Sequence, residues 1–119
     1  MKKNISFLII VPTLNSYRLL PKLVDSLEKQ TFNEWRVIFV DGGSTKRHIK
    51  KLEQICSNNQ RFTWIKQSNE YKFIYGAMNY GMKFATKGEW VLFWGSDDYA
   101  SSKNSLMQYV NIYNDSEKL

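Results

Sequence analysis

Residues 5–11 read ISFLIIV and lead straight into Pro12-Thr13-Leu14-Asn15. Successive side chains of a strand point to opposite faces, so a half-exposed strand alternates polar with apolar residues. This run is apolar throughout and rich in β-formers, so both faces need cover. A strand of a parallel sheet, with helices above and below, meets that need. Pro12 is expected to end it.

Outward from that strand the pattern repeats. Pro21 suits the first turn of a helix, and Leu20, Leu23, Val24 and Leu27 follow at helical spacing to about Lys29. Residues 35–40, WRVIFV, form a second strand closed by Asp41-Gly42-Gly43. Ser44 or Thr45 can cap the next helix, whose buried face is Ile49, Leu52, Ile55 and Cys56 and which breaks at Asn58-Asn59. Residues 61–66, RFTWIK, are a short third strand. Ile74, Ala77, Met78, Gly81, Met82 and Ala85 recur at three and four, predicting a helix over 73–85 that stops at Lys87-Gly88. Residues 89–94, EWVLFW, are a fourth strand, and Ser101-Ser102 begins a last helix carrying Leu106, Met107, Val110 and Tyr113. Strand and helix alternate four times. The expected class is α/β, a three-layer sandwich with a mostly parallel central sheet.

The chain has 119 residues, a length that suits one domain over 1–119, and no linker or repeat is visible. Hydrophobic residues are 43% and charged residues 24%, the composition of a globular, soluble chain. The first apolar run is too short to span a bilayer. Lys2 and Lys3 precede it without a small-residue cleavage signature, so no signal peptide is expected. Cys56 is the only cysteine, which excludes an internal disulfide and fits a reducing compartment. The net charge of +6 favours anionic partners. The basic residues are scattered, with Lys46-Arg47 and Lys50-Lys51 the densest group, and read as a solvated surface rather than a nucleic-acid face.

In a parallel sheet ligands bind beyond the carboxyl ends of the strands. Three such ends carry polar punctuation here: Pro12-Thr13-Leu14-Asn15, Asp41-Gly42-Gly43-Ser44 and Ser96-Asp97-Asp98. Asp41 can accept from a ribose hydroxyl or a base N–H; the blander reading is a turn with an N-cap. Asp97 and Asp98 can hold Mg²⁺ or Mn²⁺ with substrate phosphates completing the shell; the blander reading is a helix cap. Lys72 can approach a phosphate, while Glu70 and Lys72 also suit plain solvation. Asn79 is an amide on an otherwise apolar helix, where burial demands a partner. His48 reads as a solvated surface histidine and Cys56 as core. Trp35, Trp64, Trp90 and Trp94 mostly fit strand cores.

Five segments, in order, resemble the N-terminal nucleotide-sugar-binding part of family 2 glycosyltransferases, which have the GT-A fold. Residues 10–15 resemble the opening I-V-x-P-x-Y-N strand, and residues 27–31 the S-x-x-x-Q-T segment. Val40-Asp41-Gly42-Gly43-Ser44-Thr45 resembles the D-G-S-T-D turn, residues 74–81 are similar to G-I-Y-D-A-M-N-K-G, and residues 88–98 to G-x-x-x-x-F-L-N-S-D-D. The resemblance implies strand order 3-2-1-4. It implies that Pro12, Thr13 and Asn15 line the nucleotide pocket, that Asp41 binds the base or ribose, and that Asn79 supports the nucleotide side. Asp97 would contact the ribose or sugar, and Asp98 would ligate Mg²⁺ or Mn²⁺.

The implied reaction is metal-dependent, inverting transfer from a nucleotide-diphosphate sugar, a UDP-sugar foremost, to an acceptor saccharide or lipid-linked glycan. No nucleic acid is implied. The implied setting is the cytoplasm, with peripheral association at the inner face of the membrane and an oligomer as further expectations. Departures fall at Tyr71-Lys72-Phe73, where the family has D-K-G, and at Lys46 and Gly76, where it has Asp. The family's acceptor side and catalytic carboxylate lie beyond the matched motifs, so the resemblance implies a shortened form. The catalytic residue stays unassigned, since Asp115 and Glu117 are in the tail. The alternative function is a non-catalytic nucleotide-sugar-binding or assembly module without that base.

Overall fold

The computed structural model describes residues 5–116; Lys2, Lys3 and Glu117, named above, lie outside the described residues. The elements are β1 (Ser6–Thr13), α1 (Leu20–Glu28), β2 (Trp35–Asp41), α2 (Lys46–Asn58), β3 (Phe62–Lys66), α3 (Phe73–Met82), β4 (Glu89–Phe93) and α4 (Ser105–Ser116). The four strands form one sheet in the order β3-β2-β1-β4, every pair parallel, as expected.

Both faces of β1 are buried, which is why its sequence is continuously apolar. Phe7, Ile9 and Val11 pack with Val37 and Phe39 of β2 under Leu20, Leu23 and Leu27 of α1, Leu52 and Ile55 of α2, and Leu106 of α4. Leu8 and Ile10 face the other way, with Ile38, Val40 and Ala77 of α3. The two faces are unequally covered. On the second face α3 comes so close that a Cβ at Gly81 would lie 2.6 Å from Ile10 Cγ2. Only glycine admits that approach. Of the face expected to be buried on α3, Ala77 and Gly81 are buried, while Ile74 and Met82 stay exposed.

Pro12 does not end β1. The strand continues to Thr13, with Pro12 in register with Val40. Ile10 accepts the Trp94 N–H, so residues of that parity turn their backbone groups toward β4. Pairing with β4 stops at Ile10 and Phe93, so the missing proline donor falls where no partner strand remains.

α3 closes at Met82 rather than at 85. Lys83, Phe84 and Ala85 donate to the carbonyls three residues back, which tightens the end into a turn. α4 begins at Ser105, three residues later than Ser102, because the preceding segment is tied to α1 instead. Trp35 is core and Trp64 and Trp94 pack against it, but Trp90 on the edge strand is exposed, edge-on to Tyr113. Cys56 is half-buried and burial pushes its thiol up to about 11, as fits a packing residue. Across the bottom of the sheet Arg36 makes a two-pronged ion pair with Glu89, at 2.7 and 2.8 Å. Among the described residues no helix is long and apolar enough to cross a membrane.

Candidate functional site

Because all four strands run the same way, their carboxyl ends share one edge. There Pro12, Thr13 and Leu14 of the β1 end, Gly42 after β2, Ser96 after β4 and residues of the segment from Gln67 to Ala77 enclose a cavity of about 830 Å³. Lys72 lines it as well. Its walls are part apolar, from Leu14, Phe73, Ile74 and Ala77, and part polar, from Thr13, Gln67, Ser68 and Asn69.

Asp41 lies beneath this cavity rather than in its wall. It is 1% exposed. Its Oδ1 accepts the Thr13 hydroxyl at 3.0 Å and the Ser44 hydroxyl at 2.6 Å. Its Oδ2 accepts the N–H groups of Gly43 at 3.0 Å and Ser44 at 2.8 Å. Burial pushes its carboxyl up, but the bonds from Ser44, Gly43 and Thr13 outweigh that and hold it below its ordinary value. The carboxylate therefore serves as a strut, tying the β1 and β2 ends together.

Asn15 continues the tie. It sits at φ 50°, a left-handed conformation that asparagine tolerates. Its N–H donates to Ser44 Oγ, and its Oδ1 accepts the Thr45 N–H at 2.8 Å. Neither Ser44 nor Thr45 caps α2 with its own side chain as expected; Asn15 supplies the oxygen from the neighbouring loop.

His48 is fully buried, not a solvated surface residue. It shares one face of α2 with Leu52 and Ile55. Its Nδ1 accepts the Ser16 N–H at 3.0 Å, which puts the ring proton on Nε2, 3.3 Å from Asp41 Oδ1 but not aligned for a hydrogen bond. Burial lowers its pKa more than the Asp41 charge raises it, so the ring is neutral near pH 7.

Asp97 and Asp98 are exposed, immediately after the cavity-lining Ser96. Asp98 Oδ2 accepts the Gly95 N–H at 2.6 Å, and the Asp98 N–H returns to the Gly95 carbonyl. A Cβ on Gly95 would lie 2.8 Å from Asp97 Oδ1 and 3.3 Å from Asp98 Oδ2, so both carboxylates converge over a position that glycine keeps clear. α4 starts at Ser105, so the pair does not cap a helix. No group of three or more His, Cys, Asp or Glu side chains is gathered among the described residues. Two adjacent carboxylates fit Mg²⁺ or Mn²⁺, which commonly take one or two protein carboxylates and complete the shell with phosphates and water.

The loop bearing this pair is anchored by residues whose part in the site the sequence did not disclose. Gln30 donates to the carbonyls of Ser26 and Ser102 and accepts the Leu106 N–H. Thr31 donates its N–H to the Lys103 carbonyl, and Ser26 Oγ accepts the Ala100 N–H. Asn79 is exposed on α3 and does not line the cavity; the buried amide expected there is absent from the core. Phe73 lines the cavity at φ 62° and is 84% exposed.

Comparison with known proteins gives this geometry a context. The profile of Glycosyl transferase family 2 matches residues 8–117. The chain is 34% identical over 111 residues to the PGL/p-HBAD biosynthesis glycosyltransferase of Mycobacterium bovis (strain BCG / Pasteur 1173P2), covering 93% of this chain and 43% of that protein. It thus spans less than half the length of that curated relative. The crystal structure of S. aureus TarS 1-349 superposes with a TM-score of 0.79 at 31% identity, over 92% of this chain and 32% of TarS 1-349. The same protein in complex with UDP-GlcNAc gives a TM-score of 0.76 at 32% identity, over 92% of this chain and 31% of the other. The fold is that of the GT-A glycosyltransferases, and the chain belongs to glycosyl transferase family 2.

Proposed function

We propose that this chain is the donor-binding part of a glycosyltransferase that uses a nucleotide-diphosphate sugar with Mg²⁺ or Mn²⁺. The observation that carries the reading is the cavity at the parallel strand ends, with two converging carboxylates beginning one residue beyond its Ser96 edge. The nucleoside occupies the cavity between Pro12, Thr13 and the segment before α3. The diphosphate extends toward Asp97 and Asp98, where Asp98 ligates the metal and Asp97 meets the ribose or sugar. Bound there, the metal neutralises the diphosphate and stabilises it as a leaving group.

UDP is the favoured nucleotide; the TarS complex, of similar fold and 32% identical, supports it. Inverting transfer requires a base to take the proton of the acceptor hydroxyl as that oxygen attacks the anomeric carbon and the bond to the diphosphate breaks. Asp41 is committed to four hydrogen bonds and is not that base. The acceptor is a saccharide or lipid-linked glycan. The setting is the cytoplasmic side of a membrane, where Lys46, Arg47 and Lys50, around a groove on α2, offer positive charge to an anionic surface.

Calorimetry of the purified chain with UDP-, GDP- and dTDP-sugars, with and without Mn²⁺, tests this reading. Metal-dependent binding of one of them is the expected result. Silence with all three overturns it.

A further inference from the structure

The turn that leaves β1 is docked on the residues that open α2 by three hydrogen bonds. Two come from Asn15: its N–H donates to Ser44 Oγ and its Oδ1 accepts the Thr45 N–H, each at 2.8 Å. The third is the Ser16 N–H donating to His48 Nδ1 at 3.0 Å. The Ser16 hydroxyl is buried without a partner. Among the described residues, the His48 ring is thus the only side chain recorded as holding Ser16 to α2. Immediately before this turn, Pro12, Thr13 and Leu14 line the cavity. The third bond therefore helps to seat one cavity wall.

Only that bond can titrate. The acceptor nitrogen of a neutral imidazole becomes a donor when it takes a proton from water. Nδ1–H then faces the Ser16 N–H across 3.0 Å, donor against donor, and the Ser16 end of the turn must move off the ring. Asp41, at the β2 end, is the only charged group recorded as acting on the ring, and it faces the other edge, at Nε2. Leu52 and Ile55 share the ring's face of α2. Tyr17 and Arg47, next in sequence to Ser16 and His48, are joined at the surface, where the Tyr17 hydroxyl oxygen accepts from Arg47 and Arg18. We propose that His48 is a positioning residue of the donor site: its neutral ring seats the Ser16 turn and with it the β1 wall of the cavity, and its protonation unseats both, so that donor affinity falls in acid. This rests on the reading above that the cavity takes the donor. Burial keeps the ring neutral near pH 7, so the wall is seated there and the change falls below.

His48 is the one histidine of the chain, so its ring can be followed alone by NMR in protein made without a histidine tag. The probe is UDP-GlcNAc with Mn²⁺, which unlike UDP has no terminal phosphate titrating in the range. From about pH 7.5 to about pH 5 its Kd for the 119-residue chain should rise about fivefold. In His48→Asn, whose oxygen accepts from Ser16 without titrating, the rise should be less than about twofold. His48→Leu, with no acceptor, should bind more weakly than His48→Asn at about pH 7.5 and be equally flat. A histidine that only filled space would not tie affinity to pH. Linkage supplies a measurement that needs no variant. A proton that weakens ligand binding is itself held less tightly in the complex, so saturation with UDP-GlcNAc should move the His48 titration to lower pH. An unmoved titration, or a ring that stays neutral until the chain unfolds, overturns the inference and leaves the donor site standing. So does a wild-type Kd flat in pH, or a slope that persists in His48→Asn. If UDP-GlcNAc is silent, a GDP- or dTDP-sugar takes its place. Silence with every one of them at about pH 7.5 overturns the donor reading and this inference together.

Discussion

At the end of β2 the Asp41 carboxylate is buried under four hydrogen bonds, while at the end of β4 Asp97 and Asp98 stand in solvent with one recorded bond from the backbone of Gly95. The residue type is the same and both sites stand at the carboxyl edge of the sheet, Asp41 as the last residue of β2 and Asp97 and Asp98 in the turn that follows β4. What differs is the local supply of donors. The β2 turn aims two N–H groups and a hydroxyl inward, and Thr13 adds a second hydroxyl from the adjacent strand. The β4 turn offers a single N–H, so its carboxylates keep capacity for an external cation. An acid at the end of a parallel strand is thus a strut or a ligand according to how many donors its own turn aims at it.

Replacing the two acids separates the roles. Asp41→Ala strands the Thr13, Ser44 and Gly43 donors in a buried site and should lower stability by about 3 kcal/mol in urea unfolding. A loss under about 1 kcal/mol would break the comparison. Asp98→Ala should leave the unfolding free energy in urea within about 0.5 kcal/mol and reduce Mn²⁺-dependent nucleotide binding at least ~10-fold. Survival of the metal dependence would reduce Asp98 to a cap on its own turn.

Between the two loops the cavity wall holds strain. Phe73 adopts a left-handed φ while almost wholly exposed, so its ring offers little packing in return. Phe73→Gly should raise stability by about 1 kcal/mol, read as a higher thermal midpoint. A lower midpoint would show that the ring is held by more than the cavity edge.

The smallest effect lies in pH. Folded His48 binds its proton less tightly than the unfolded side chain, whose ordinary pKa is 6.5. As pH falls below that value the unfolded state gains a proton first, and stability present above pH 6.5 is progressively lost. His48→Asn keeps an oxygen for the Ser16 N–H and removes the titration. Urea midpoints between pH 7 and 5 should slope in the wild-type chain and flatten in the variant. Equal slopes would place the acid sensitivity outside the β2 end.

Much of this was legible in residues 5–11. A strand apolar on every position announces two covered faces, and the alternation with helices then implies the parallel sheet and the edge on which a site belongs. The same strand-end logic holds for β3 as for the other three, and Gln67 sits there without any charged or glycine-rich punctuation to signal it. His48 carried a readable sign, since positions 48, 52 and 55 share a helical stripe, but one histidine among basic neighbours reads as surface unless its stripe outweighs its company. The burial of Asp41 was not legible. Three of its donors come from its own turn, but the fourth, the Thr13 hydroxyl, lies 28 residues away in β1 and is brought in only by the strand register. The start of α4 was hidden for the same reason, because Gln30, just after α1, holds Ser102 and Leu106 across the fold.

That clamp has a consequence for how the molecule opens. Three hydrogen bonds from one amide side chain join the end of α1 to the segment that follows Asp98. A loop tethered only at its own ends frays independently of its surroundings, but one stitched to a core helix shares the opening free energy of that helix. Amide exchange at Ala100 and Leu106 should therefore follow that of Leu23 and Leu27, so that the carboxylate pair and the first helix form one cooperative unit.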